Sequence, residues 1–253
     1  MTLARAHADQ YERFLEPVRL GLRSRPELVA LLSDAVPPGV LLRFLIEYSA
    51  RGYHMTKSVE DWMTRAGTLM SSTPDLAALG RSILEHSEQE RGHDLLLVAD
   101  TEYLVDAWNA TAARPPLDAR ELLDRPIPAT IWLYRSLAEW CLADARTAPA
   151  LVAMQKEIER LSLTIGAPFL RNCAVVLGHD IVAQLSFIRE HVELDADHDE
   201  ANRRELDSLL SARPGDVQQL VDVGCWAVDL YGQFLADCYR TAAEDGQVIV
   251  IAP

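Results

Sequence analysis

Cysteine is scarce: Cys141, Cys173, Cys225 and Cys238 are the only 4 in 253 residues, and none forms a C-x-x-C pair. That spacing argues against a disulfide framework and against a closed thiolate zinc site, and it leaves four reduced thiols on apolar helix faces. Positive charge is scarce too. Lys and Arg number 24 against 38 Asp and Glu, for a formal net charge of −14, which disfavours nucleic acid and anionic membranes as partners. No run approaches the roughly 18 uninterrupted apolar residues of a membrane span. The N-terminal Met1-Thr-Leu-Ala-Arg5 meets charge at once, without the apolar stretch of a secretory leader. These absences lead to the expectation of a cytoplasmic protein. Val and Ile gather into alternation only over Gln247 to Ile251, so a β-sheet fold is not expected.

What remains is helical periodicity from end to end in a chain that is 49% hydrophobic, enough for one substantial core. The expectation is an all-α single domain of about seven to nine helices spanning residues 1–253, with its core over about 40–240. Pro and Gly punctuation sets long helices at about 39–71, 75–109, 129–145, 149–166, 180–211 and 215–244.

Three polar interruptions of apolar stripes stand out. His191, Asp195 and His198 lie at i, i+4 and i+7, one ridge of a helix, and continue the row Ile181, Leu185, Ile188. Glu90 and His93, at i and i+3, occupy positions where core residues belong. Burying an unpaired carboxylate costs several kcal/mol, which a divalent cation offsets. On a further helix Glu159 shares a face with Val152, Gln155 and Ser162, while Glu157 competes with it as a ligand, and periodicity does not choose between them. His86 borders the same region and reads as a residue supporting a ligand or packed in the core. Tyr48, His54 and Lys57, on the second long helix, are the polar candidates for contacting a substrate.

This pattern resembles the haem-oxygenase-like diiron oxidases and oxygenases, in which a Glu and a His from one core helix, a Glu from a second and a His-x3-Asp-x2-His run from a third hold two irons. The resemblance covers roughly residues 40–240 and implies a haem-oxygenase-like helical bundle with Glu90, His93, Glu159, His191, Asp195 and His198 as metal ligands. Mixed nitrogen and oxygen ligation suits Fe(II) or Mn(II), and two ferrous ions would nearly balance three carboxylates. The implied activity is O2-dependent oxidation: C–H abstraction from a small amino acid or amine, leading to desaturation or oxidative C–C fragmentation. N-oxygenation and fatty-acid decarboxylation are alternatives within the same family. The resemblance also allows an external electron donor and a homodimer. Outside it stand a cofactorless enzyme of the same architecture, with acids and histidines as general acid and base, and a non-enzymatic metal-binding helical protein.

Overall fold

Proline sets where several helices begin. Pro37 is extended (φ −61°, ψ 134°) and Pro38 opens the longest buried helix, because a proline biases its predecessor away from helix yet fits the first helical turn. Pro26 likewise opens the helix Pro26–Leu31, and Pro128 is extended just before the helix Ala129–Cys141. The computed structural model describes residues 3–111 and 115–246, without the side chains of 3–5, 194–201 and 246. Its helices are α1 (Leu3–Arg23), α2 (Pro26–Leu31), α3 (Pro38–Thr56), α4 (Val59–Ser71), α5 (Ala77–Gln89), α6 (His93–Asn109), α7 (Ala119–Leu123), α8 (Ala129–Cys141), α9 (Ala150–Leu161), α10 (Ala167–Leu177), α11 (His179–Ala183), α12 (Ser186–Ala212) and α13 (Val217–Gly246). A π-helical turn, Ser162–Gly166, joins α9 to α10, and a short 3-10 turn, Pro214–Asp216, leads into α13.

The all-α expectation holds, and no strand occurs among the described residues; Gln247 to Ile251 lie outside them. The helix α3 is central, with α6, α13, α10, α7 and α8 packed against it. It buries residues on every side, including Leu41, Phe44, Leu45 and Ile46. α1 adds Tyr11, Leu15 and Leu22, so the hydrophobic core also draws on residues well before 40. Cys141, Cys173 and Cys238 are buried free thiols and Cys225 is half-buried. Among the described residues no helix is long and apolar enough to cross a membrane.

Three of the expected long helices are broken in two. The stretch 39–71 divides between Thr56 and Val59, 75–109 divides between Gln89 and His93, and 180–211 divides between Ala183 and Ser186. The last break removes Ile181 from the helix that carries His191. Conversely, Gly166 and Pro168 do not interrupt the chain where they were expected to. The π-turn carries it on, and Pro168 sits in the first turn of α10, where its missing N–H costs nothing.

α4 and α5 form a tight antiparallel pair because Gly67 and Gly80 face each other. A Cβ built on Gly80 would lie 2.4 Å from the Ser71 amide nitrogen and 2.7 Å from the Gly67 carbonyl oxygen. Backbone atoms cannot move aside as a flexible side chain can. Gly80→Ala is therefore expected to destabilise the protein by roughly 1–3 kcal/mol, the usual cost of overpacking. Denaturant unfolding checks this, and a variant as stable as the parent would show that the pair can separate freely.

Candidate metal centre

The turn between α5 and α6 delivers the first two site residues. Glu90 ends α5, Gly92 takes a left-handed conformation (φ 87°) that glycine adopts without strain, and His93 starts α6. Glu90 and His93 thus flank a turn and do not share a helix face as their spacing predicts. They still meet: the His93 Nδ1–H donates to Glu90 Oε2 at 3.1 Å. His86, one turn earlier on α5, lies with its Nε2 4.0 Å from Glu90 Oε1 and 3.4 Å from Glu159 Oε1. Glu159 comes from α9, where the Asn202 amide of α12 donates to its Oε2. His191, in the second turn of α12, stacks edge-on to His93 with ring centres 4.9 Å apart.

Two donor groups result. Glu90, His93 and His191 form one, and His86, Glu90 and Glu159 the other; within each, the donor atoms lie within 4.8 Å of one another. Glu90 belongs to both. Glu90, His93, His86 and Glu159 are buried, with Glu90 at 9% and His93 at 5% exposure, and His191 is half-buried. Of the expected ligands, Glu90, His93, Glu159 and His191 are brought together. His86 joins them as a donor in its own right, beyond the supporting role its sequence position indicated. The side chains of Asp195 and His198 lie outside the described residues. Their positions on α12 fall between His191 and Asn202, both of which reach the site.

The electrostatics follow from burial and mutual contact. Burial pushes the Glu90 carboxyl upward, but the His93 hydrogen bond and the charges of His93, His191 and His86 outweigh it and hold it below its ordinary value. Burial works to lower His93, and the hydrogen bond and charge of Glu90 overcome it, so His93 is raised. His191 is lowered, chiefly by burial, which favours the neutral imidazole that a metal needs. Three imidazoles and two carboxylates, with no thiolate, match the harder N/O preference of Fe(II) or Mn(II).

Glu159, and not its competitor Glu157, faces this centre. Glu157 points the other way and takes two hydrogen bonds from Arg19 of α1, from Nε and Nη2, each at 2.7 Å.

Two cavities adjoin the donors. A chamber with about 660 Å3 of empty space, mouth included, is lined by Glu90, Glu159, His191, Tyr134 and Gln155. A channel with about 540 Å3 is walled by Leu31, Phe44, Leu161, Ile165, Phe169 and Leu235. Tyr48, Ser162, Phe187, His191 and Tyr231 line both, so they form the neck between them. The hydroxyls of Tyr48 and Tyr231 lie 3.2 Å apart there. Tyr48, expected to contact a substrate, is thus placed at both cavities. His54 and Lys57 are not: His54 Nε2 bonds the Leu123 carbonyl at 2.8 Å, and exposed Lys57 lies over the Tyr53 ring. Both sit near the α3 C-terminus, and neither lines the chamber that Gly52 and Met55 line. Tyr134, buried on α8, also lines the chamber.

No family model matches the sequence, and neither does any curated protein. Solved structures do. A domain of unknown function from Shewanella denitrificans with a haem oxygenase-like fold matches with a TM-score of 0.67 at 17% identity, over 94% of this chain and 90% of that one. A TenA homologue from Pseudomonas syringae pv. tomato matches with a TM-score of 0.69 at 14% identity, over 95% and 97%. The chain is thus an all-α protein of the haem oxygenase-like fold, with a His and Glu cluster whose donor spacing could hold metal.

Proposed function

We propose that the protein is a non-haem dimetal oxidase that uses O2 to remove hydrogen from a small organic substrate. The observation that carries this is the pair of buried donor groups sharing Glu90, set beside a chamber with a mouth. His86, Glu90, His93, Glu159 and His191 would hold two Fe(II) ions, with Mn(II) served by the same donors; Asp195 and His198 enter by their register on α12 alone. When bound, the irons supply the reduction of dioxygen and the oxidant that takes the substrate's hydrogen. Everything else falls to the polypeptide. Apolar walls exclude water, the neck tyrosines orient the substrate, and buried Glu90 and Glu159 balance the charge of the ions. Desaturation, or alkene-forming loss of CO2, removes two electrons from the substrate while O2 takes four to become water. The other two must come from an external donor.

The channel bears on the substrate. Its lining is aliphatic and aromatic, and among the described residues the polar side chains at it are those of the neck. Among those residues a small zwitterionic amino acid would find no charged partner there apart from the ligand His191. The apolar wall favours the fatty-acid alternative: a carboxylic acid whose tail lies in the channel while its head reaches the donors. Anaerobic titration should show close to two Fe(II) per chain. O2 uptake should then be accelerated by saturated carboxylic acids in a chain-length-dependent way, and less by free amino acids. Activity that survives exhaustive chelation would overturn the metal reading in favour of acid–base catalysis by the same side chains.

A further inference from the structure

We propose that Asp100 is a positioning residue that sets the tautomer and orientation of His191 through the backbone of Phe187. Asp100 lies on α6, two turns beyond His93, and is 2% exposed. Its carboxylate meets the N-terminus of α12 end-on. Oδ1 accepts from the Ser186 amide at 2.9 Å and from the Ser186 hydroxyl, and Oδ2 accepts from the Phe187 amide at 3.1 Å. First-turn amides of a helix have no partner within the helix, and their partial positive charge favours a carboxylate. Asp100 therefore caps α12 from a different helix, and it does so on the helix that brings His93 to the site.

The Phe187 backbone then passes the constraint on, its N–H and its carbonyl lying in adjacent peptide groups held in register by the first turn of α12. Its N–H is fixed by Asp100, and four residues later its carbonyl accepts from His191 Nδ1 at 2.8 Å. A carbonyl can only accept, so Nδ1 carries the proton and the Nε2 lone pair is left to face the donor group of Glu90 and His93. Ligand histidines are commonly held by a carboxylate on the far nitrogen. Here the carboxylate acts at one remove, with the backbone of one residue between. Because that residue belongs to the first turn of the helix, the same contact fixes where α12 starts and how the His191 ring is turned. The Phe187 side chain adds to this by packing on the His191 ring, centroids 4.1 Å apart.

The metal part of the test rests on the dimetal reading, and the tautomer part does not. In metal-free protein with 15N-labelled histidine, two-bond 1H–15N correlation spectra should show His191 as the Nδ1–H tautomer. Asp100→Asn keeps the size but presents an NH2 to one of the two amides. His191 should then become a mixture of tautomers, and anaerobic Fe(II) titration should show one of two sites weakened about 10- to 100-fold, the range for outer-shell changes, with the other unchanged. Ser186→Ala removes the hydroxyl contact and leaves the Phe187 relay intact, so it should behave as the parent in both measurements. An Nε2–H tautomer in the unsubstituted protein overturns the relay without any variant. So does Asp100→Asn with parental tautomer and affinities, or Ser186→Ala as defective as Asp100→Asn. If the parent takes up no metal but Asp100→Asn still scrambles the tautomer, the relay stands and the dimetal reading falls.

Discussion

Glu90→Gln is expected to abolish both metal sites at once, the largest functional loss of any single substitution in the chain. The reason is geometric: Glu90 is the residue common to the His93–His191 group and the His86–Glu159 group. One carboxylate oxygen lies 3.1 Å from His93 and the other 4.0 Å from His86, so each oxygen serves one side. Glutamine keeps the shape, has a single acceptor and carries no charge. A cation entering the site would lose half of the described anionic balance together with a donor. The fall in affinity should exceed the roughly 100-fold upper figure for outer-shell changes, and Fe(II) bound per chain should drop from two to near zero. O2 uptake should vanish with it.

Single-sided variants supply the contrast. His93→Ala removes a donor from only one group, and Glu159→Gln from only the other, so each should retain one ion with near-parental affinity. Titration against the three variants therefore reads the topology of the site directly. If Glu90→Gln still took up two ions, or if all three variants behaved alike, the shared-carboxylate arrangement would be wrong. The fold should persist in each case, because Leu79 and Ile83 pack α5, and Leu97 and Leu104 pack α6, independently of the site.

The helical content, and the three stretches that meet at the centre, were legible because helical periodicity exposes polar residues standing in apolar rows. The interruptions were not. Lys57-Ser58 and Gln184-Leu185 contain neither proline nor glycine, and the breaks there answer to what packs around them. Gly92 did carry a signal, a lone glycine inside a charged stretch, and it is the residue that turns Glu90 and His93 into partners across a bend. Glu157 and Glu159 illustrate a sharper limit. Two residues apart on a helix, they project about 200° from one another, so one must face the centre and one must not. Which is which depends on Arg19 and Asn202, residues 138 and 43 positions away. Asp100 reads as an ordinary helix acid until the start of α12 is known.

Glu157→Ala should produce the largest loss of stability without touching the metal centre. Glu157 is fully buried and is held by bidentate Arg19 and by the Tyr11 hydroxyl at 2.9 Å, with Lys156 Nζ 3.9 Å away. Removing the carboxylate takes from Arg19, itself 2% exposed, its one fully buried partner on the α1–α9 seam and leaves it the more exposed Glu12 and Glu16. Breaking one partner of such a pair costs about 3–5 kcal/mol. For a chain of this size that is a fall in Tm of roughly 10 °C. The double variant Arg19→Met with Glu157→Leu should recover most of it, since an apolar pair of similar volume has no charge to desolvate. Neighbouring Glu12 adds an acid-side signature. Burial pushes its carboxyl up, but the Arg19 hydrogen bond and Lys156 outweigh this and hold it at about 2, below its ordinary 4.5. Its contribution is therefore complete above pH 4.5 and lost as pH falls toward 2. Arg19→Met should flatten that limb of the stability curve. Fe(II) stoichiometry should stay at the parental value in every folded variant of this cluster, because Glu157 faces α1 and not the donors. A Glu157→Ala protein that keeps its Tm but loses metal would mean that Glu157, and not Glu159, is the α9 ligand.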